Sequence, residues 1–241
     1  MKRINLIASA LMAAVAVVGM QAQSQAVTVT VDGSAAWEGF MNVSELPANG
    51  GGFVFGSGWG VPDLVADIDA VNNTITTSPN TVGDPNEFWY QPGRPGDDPM
   101  DPNDNGGPGA LGNKSMEANL FVNEVGTFAG QTLTFTGTID AFSLTGAHVA
   151  EVFIKDFEPD FSSAVETSAT ISSTGTFSIT QSLINDPARP VQYGFRMTGE
   201  NVWVTDVAPF GSVTFGAIPE PTSLVLFGLG VAGLAVGRRR K

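Results

Sequence analysis

Residues 131–142 read QTLTFTGTIDAF, and threonine occupies every second position from Thr132 to Thr138. The residues between these threonines are Leu133, Phe135 and Gly137, so one side of the segment is largely apolar and the other polar. A period of two is the pattern of a β-strand with one buried face, and Thr, Phe and Ile favour strands. The segment therefore predicts a strand over 131–142.

Segments of similar composition lie on both sides of it, separated by Gly, Asn, Asp and Pro, which favour turns. They cover residues 27–31, 37–43, 52–55, 114–123, 149–157, 169–182, 191–198 and 212–215. Only 61–71 (VPDLVADIDAV) is weakly helix-like, and Pro62 argues against a helix there. Many short strands with turn residues between them predict an all-β, antiparallel β-sandwich with two sheets packed face to face.

The amino terminus has the pattern of a secretory signal peptide. Lys2 and Arg3 precede an apolar stretch over 6–20, and small or polar residues follow as far as Ala26. This arrangement predicts passage through the secretion translocon and cleavage by signal peptidase after Ala26, with cleavage after Ser24 as the alternative. The predicted domains are thus a signal peptide at 1–26, a β-sandwich at 27–217 and a terminal segment at 218–241.

The terminal segment reads IPEPTSLVLFGLGVAGLAVGRRRK. Pro219, Glu220 and Pro221 predict an extended tripeptide, because proline lacks a backbone donor and disfavours helix in the residue before it. The uncharged run over 222–237 predicts a single transmembrane helix of about 24 Å, shorter than the ~30 Å hydrocarbon layer. Arg238, Arg239, Arg240 and Lys241 follow it and are expected to stay cytoplasmic, since Lys and Arg resist translocation.

This segment resembles the PEP-CTERM sorting signal of exported bacterial proteins. Pro219, Glu220 and Pro221 fall on its motif, residues 224–236 on its hydrophobic stretch and 238–241 on its basic end, while Ile218 replaces the usual Val. The resemblance implies transient membrane anchoring, removal of the tail by an exosortase-type membrane protease, and delivery to the cell surface or an extracellular matrix rich in exopolysaccharide. An ordinary membrane anchor is the alternative.

The charge of the exported part excludes some partners. Six of the eleven basic residues lie in the two terminal segments, which leaves five basic against 23 acidic residues in 27–217, a net charge near −18. Binding to nucleic acid needs the opposite sign. Cysteine is absent, so neither disulfides nor thiolate metal sites contribute.

Residues 115–215 more weakly resemble jelly-roll, carbohydrate-binding-module-like domains, in the segments 130–135 (GQTLTF), 150–157 (AEVFIKDF), 173–179 (STGTFSI) and 191–197 (VQYGFRM). This resemblance implies a jelly-roll-like sandwich and sugar binding. Aromatic rings pack on the apolar faces of sugars, and Trp89 and Tyr90, beside a polar Pro-rich loop, are the candidate contacts. Core packing is the alternative for both.

That loop also contains a candidate calcium site. Asp101, Asn103 and Asn105 alternate before Gly106, as at the start of a calcium loop, and Asp97 and Asp98 lie nearby. Gly112 occupies the place where an EF-hand supplies its bidentate carboxylate, so an EF-hand is excluded. A looser Ca²⁺ site, to which Glu117 could contribute, and a solvated acidic loop remain alternatives.

Support for catalysis is weak. His148 is the single histidine, and it has no serine-nucleophile or HExxH pattern around it. Carboxylate pairs such as Asp63 with Asp67, or Asp156 with Glu158, are those a glycosidase would use, but such pairs arise by chance in an acidic chain. The sequence therefore predicts a non-catalytic, exported surface or matrix protein that binds exopolysaccharide. The alternatives are a secreted glycan hydrolase and a calcium-stabilised adhesin.

Overall fold

The computed structural model describes residues 25–84, 87–90 and 111–218. The predicted signal peptide as far as residue 24, the polar loop over 91–110, and the sorting motif with its predicted helix and basic tail lie outside these residues. Within them, thirteen strands form two sheets. The strands are β1 (Ala26–Thr30), β2 (Trp37–Glu45), β3 (Phe53–Trp59), β4 (Ala66–Asp69), β5 (Thr74–Thr77), β6 (Thr81–Val82), β7 (Leu111–Val125), β8 (Thr132–Phe142), β9 (His148–Phe157), β10 (Ala164–Ile171), β11 (Gly175–Ser182), β12 (Pro190–Trp203) and β13 (Val213–Gly216).

The two sheets differ in size. The seven-stranded sheet has the order β10-β9-β12-β7-β2-β3, and β6 pairs with the end of β12. The six-stranded sheet has the order β1-β8-β13-β5-β4, and β11 pairs with β8. This arrangement is consistent with the predicted β-sandwich.

The pairing is antiparallel with two exceptions. β1 runs parallel to β8, with Ala26 opposite Thr132, and β6 runs parallel to β12, with Val202 opposite Thr81. The predicted antiparallel pairing was therefore wrong for these two strand pairs. Both exceptions are short strands added to a long one, one in each sheet, so they leave the antiparallel frame of both sheets unchanged.

The individual strand predictions were confirmed for the long strands and less accurate for the short ones. Residues 169–182 form two strands rather than one, because a turn at 172–174 separates β10 from β11. The weakly helix-like 61–71 contains a 3₁₀ turn at Pro62–Leu64 and then β4. Asp67 and Ala70 are exposed on this segment, and its polar residues alternate well enough for a strand.

Aromatic rings hold the two sheets together. Phe195 of the larger sheet stacks on Phe215 of the smaller one, with ring centroids 3.8 Å apart and planes 14° apart. Phe135 and Phe177 pack against Phe195 at 5.6 and 6.0 Å. All four side chains are buried, so the core lies between the sheets and the far face of the larger sheet is turned away from it.

Candidate functional site

The outer face of the seven-stranded sheet, on the side away from the core, is arranged in rows of side chains that cross several strands. One row runs Glu166, Lys155, Gln192 and Asn123 across β10, β9, β12 and β7. The next runs Ser168, Phe153, Gly194, Phe121 and Glu38. Because side chains alternate between faces, every second residue of each strand contributes to this surface.

A groove of about 620 Å³ lies on this face and is called the outer-face groove below. Its aromatic lining is Phe40, Phe121, Phe157 and Phe161. Its amide lining is Asn42, Asn119, Asn123 and Gln192, and its charged lining is Glu38, Lys155 and Glu166. Flat apolar rings beside side-chain amides are the usual composition of a small-ligand site.

A network of charged groups borders one side of the groove. Arg196 contacts Glu151 at 2.7 Å and Glu166 at 2.9 Å, and Lys155 lies 3.8 Å from Glu166. The Lys155 ammonium also lies 4.5 Å from the centre of the Phe153 ring. The Phe153 side chain is fully buried beneath these charges. Burial lowers the pKa of Lys155, and the charge of Glu166 partly offsets this effect.

Glu117 anchors the amides on the other side of this network. Its carboxylate accepts hydrogen bonds from Nδ2 of Asn119 and Nδ2 of Asn42, both at 3.0 Å, and Lys155 Nζ donates to Oδ1 of Asn119 at 3.0 Å. Burial alone would raise the pKa of Glu117, but these two amide donors, with the charges of Arg196 and Lys155, lower it. Asn42 and Asn119 are therefore fixed in place, and both the donor and the acceptor of the Asn119 amide are engaged within the protein.

Gln192 and Asn123 differ from those two amides. They are paired across β12 and β7 and both line the groove. Oδ1 of Asn123 is a buried acceptor without a partner, and Gln192 is 9% exposed. A buried acceptor without a partner costs free energy, and the Gln192 amide can both donate and accept, so this pair is suited to a ligand that does the same.

The residues predicted to contact sugar lie elsewhere. Trp89 is half-buried and contacts Phe88, Phe55 and Trp59 at 4.8, 5.7 and 6.3 Å. Tyr90 is 1% exposed and packs on Trp203 at 5.3 Å. A sugar contact at Tyr90 would require this ring to leave its packing, so Trp89 is the more accessible of the two, and the contact stays a prediction.

The candidate calcium ligands Asp97, Asp98, Asp101, Asn103 and Asn105 lie outside the described residues. Within 25–84, 87–90 and 111–218, no three His, Cys, Asp or Glu side chains are grouped so as to hold a metal ion. Glu117, considered as an additional ligand, is bound to Asn42 and Asn119.

His148 and Asp156, which were considered for catalysis, are both buried and bound within the protein. The His148 ring is 5% exposed, its Nε2 lies 2.8 Å from the carbonyl oxygen of Glu200, and burial lowers its pKa. Asp156 is 1% exposed and bound to Arg189 Nε at 2.7 Å. Neither residue lines the outer-face groove.

Sequence reasoning missed the groove itself. The segment 114–123 contains Glu117, Asn119, Phe121 and Asn123 at alternate positions, a polar and aromatic face that was available as a signal. The opposite face holds Met116, Ala118, Leu120 and Val122, all buried. The pattern showed which face was the core, but the residues that complete the groove come from strands far away in the chain.

The described part of the molecule is thus a two-sheet β protein with a polar-aromatic groove on one outer face. Residues 217–241 match the model of the PEP-CTERM protein-sorting motif. This match supports an exported surface protein that is anchored transiently in the membrane and processed by an exosortase, a membrane protease. The sorting residues Pro219, Glu220 and Pro221 and the basic residues 238–241 lie inside the matched region.

Two further observations accompany this match. No curated protein and no solved structure matches the chain. In the part of the chain that the structure describes, no helix has the length and apolar character needed to cross a membrane, and the predicted transmembrane segment lies outside that part.

Proposed function

We propose that this chain is a non-catalytic surface or matrix protein whose outer-face groove binds a neutral polysaccharide of the layer to which the sorting tail delivers it. The single observation that supports this proposal best is the adjacent pair Gln192 and Asn123. These amides line the groove, Gln192 is buried and Asn123 is half-buried, and Oδ1 of Asn123 has no protein partner. Sugar hydroxyls donate and accept hydrogen bonds, which is what such amides require.

The rest of the lining agrees with this class of ligand. Phe157 and Phe161 line the groove with the amides, and Phe161 is 52% exposed, so its ring is open to the apolar face of a pyranose. Glu38 and Glu166 also line it, and the exported part carries a net charge near −18. Like charges repel at close range, so a neutral glycan fits this groove better than a polysaccharide rich in uronate or sulfate.

The presence of two carboxylates in one groove is the observation that favours the alternative, a glycan hydrolase. Glycoside hydrolysis requires two carboxyl groups free to act on the substrate. Glu166, however, is held by Arg196 at 2.9 Å and by Lys155 at 3.8 Å, so one of the two is already engaged. A binding module therefore agrees better with the groove than a hydrolase does.

The test is affinity electrophoresis of the exported protein, as cells deliver it, through gels that contain neutral or anionic polysaccharides. We expect retardation by a neutral glycan, and we expect Gln192→Met to weaken it about tenfold, since it removes the amide and keeps the side-chain length. Gln131→Met, at a glutamine outside the groove, is the matched control and should be retarded like the wild type.

A second arm separates the two predicted contacts. Trp89→Ala should leave retention unchanged if the outer-face groove alone binds the glycan, and should weaken it if the aromatic residues around Trp89 take part. Release of new reducing ends from any retained glycan would favour the hydrolase. Equal retention of the wild type and Gln192→Met would refute the proposed site.

A further inference from the structure

β3 (Phe53–Trp59) is an edge strand with an unusual composition. It pairs with β2 on one side, and no other described strand pairs with it. Its sequence is FVFGSGW, in which Phe53 is 67% exposed and Val54 is 37% exposed. An exposed, apolar edge strand offers unpaired backbone N–H and C=O groups to another strand, and natural proteins usually protect such edges with charges or proline. β3 has neither.

The other edges of the two described sheets differ from β3. β4 carries Asp67 and Asp69. β10 and β11 meet at the opposite side of the sandwich, where Gln181 Nε2 donates to the carbonyl oxygen of Val165 at 2.9 Å. Acidic edge residues repel a second strand, and a closed side leaves no room for one. β1 and β6 are uncharged edges, but they contain five and two residues and no aromatic ring. Among the described edges, β3 is therefore the long, uncharged and aromatic one that is best suited to strand addition.

Charge indicates which strand would be added. No charged residue lies between Glu45 and Asp63, although the exported part has a net charge near −18. Two copies of such an acidic protein repel each other over most of their surfaces, and this uncharged stretch is where the repulsion is weakest. A second copy of the chain presents the same uncharged apolar edge, so the two edges match in charge and in hydrophobic character.

We propose that two copies of this protein pair through β3, antiparallel and centred on Gly56, to form one continuous sheet. In this register Phe55 of one copy lies opposite Ser57 of the other and Gly56 opposite Gly56, while the register of β3 shifts between Phe53 and Phe55. Each pair joins uncharged residues, and the exposed Phe53 and Val54, beyond this shift, add apolar surface at each end of the shared edge. The interface is isologous, because each copy contributes the same strand.

The pairing has a consequence for the outer-face groove. Two antiparallel strands of a continuous sheet are related by a twofold axis perpendicular to the sheet, so the outer faces of both copies point to the same side. Gly58 of β3 lines the groove, so the grooves would lie near the common edge. A dimer would thus present two grooves to one polymer layer, which raises the avidity for a repeating ligand without a new contact.

The first test is sedimentation velocity of the exported protein over a range of concentrations. We expect the wild type to sediment at twice the monomer mass and Phe53→Lys to sediment as a monomer, because lysine places a charge on the edge. Val71→Lys is the matched control: Val71 is 93% exposed in the turn between β4 and β5, and it should remain dimeric. A monomeric wild type, a dimeric Phe53→Lys or a monomeric Val71→Lys would overturn the proposal.

The second test does not depend on disrupting the edge. The chain has no cysteine, so cysteines introduced together at Phe55 and Ser57, in the regular part of β3, have no native thiol to react with. In the proposed register each faces the other residue of the partner, at a Cα separation of about 4.5–5.5 Å that a disulfide can span. We expect an oxidised dimer on non-reducing gels for F55C/S57C and none for S57C alone. A double variant that migrates as a monomer after oxidation would refute the pairing.

The proposed glycan site and the proposed β3 interface can be refuted independently of each other. Glycan retention of a monomeric Phe53→Lys variant would support the groove whatever the outcome for β3. Dimerisation of a Gln192→Met variant that has lost retention would support the β3 interface whatever the outcome for the groove.

Discussion

Arg189 is buried in the described structure with two carboxylates around it. Its side chain is 5% exposed, its Nε contacts Oδ1 of Asp156 at 2.7 Å, and its Nη1 contacts Oε1 of Glu158 at 2.6 Å. Nη2 also donates to the carbonyl oxygen of Asp156 at 3.0 Å, and Oδ2 of Asp156 accepts from the backbone N–H of Ile184. The pair therefore fastens the loop that precedes β12 to the end of β9.

Removal of this guanidinium should destabilise the fold strongly. In Arg189→Met, Asp156 would stay 99% buried in a site built for a cation, and the loss of one partner of a buried ion pair costs about 3–5 kcal/mol. The free energy of unfolding of the exported protein, obtained from urea titrations followed by tryptophan fluorescence, measures this cost.

Lys114→Met provides the comparison at a more exposed pair. Lys114, whose side chain is 11% exposed, lies 3.3 Å from Glu45, whose side chain is 35% exposed, and a pair whose carboxylate reaches water is expected to contribute about 1 kcal/mol. Similar losses of stability in Arg189→Met and Lys114→Met would contradict the importance assigned to burial at Asp156.

The roles of single residues were the part of the molecule least accessible from sequence. The pair Asp156 and Glu158 was visible as two carboxylates close together, but their cation is 33 residues from Asp156 and nothing local points to it. The same holds for Gln192 and Asn123, which become neighbours only because β12 lies beside β7. Tyr90 shows the converse: its position beside a polar loop suggested exposure, yet it packs on Trp203.

At the level of strands, Gly194 explains how bulky rings fit on the outer face of the larger sheet. It lies in β12 between Phe153 of β9 and Phe121 of β7. A Cβ atom placed on Gly194 would come within van der Waals overlap of the carbonyl oxygen of Leu120 and lie 2.7 Å from Cα of Phe121. Because these are backbone atoms, the neighbouring strand would have to move.

We therefore expect Gly194→Ala to destabilise the sheet by roughly 1–3 kcal/mol, the usual cost of overpacking. Thermal unfolding monitored by circular dichroism measures the change. Gly58→Ala is the matched control, because the nearest atom to a Cβ there is the carbonyl oxygen of Gly39 at 3.9 Å. Equal melting temperatures for the two variants would show that β12 has room beside β7.

Strands were predictable from sequence in proportion to their length. β8 has four alternations of apolar and polar residues and was identified almost to its ends, whereas β5 and β6 contain four and two residues and carry too little periodicity to detect. The parallel pairing of β1 with β8 was also invisible, because alternation shows which side of a strand is buried and not the direction of its neighbour.

For the whole molecule, the position of the last strand limits how the tail can be processed. β13 ends at Gly216 and its Val213 and Phe215 are fully buried between the sheets, so the folded body ends two residues before the motif residue Pro219. Two extended residues span about 7 Å. A protease that acts at the motif must therefore work close to the surface of a folded domain.

The final prediction concerns the product of this processing. Because the matched motif is a sorting signal, intact-mass measurement of the surface-delivered protein should show that Lys241 and the apolar segment have been removed. Replacement of the motif carboxylate in Glu220→Ala should leave the tail attached, and Ile218→Val, which restores the usual residue before the motif, should be processed like the wild type. A finished product that still carries Lys241 would mean that the terminal segment is a permanent anchor, and the body would then act at the membrane rather than in the surrounding layer.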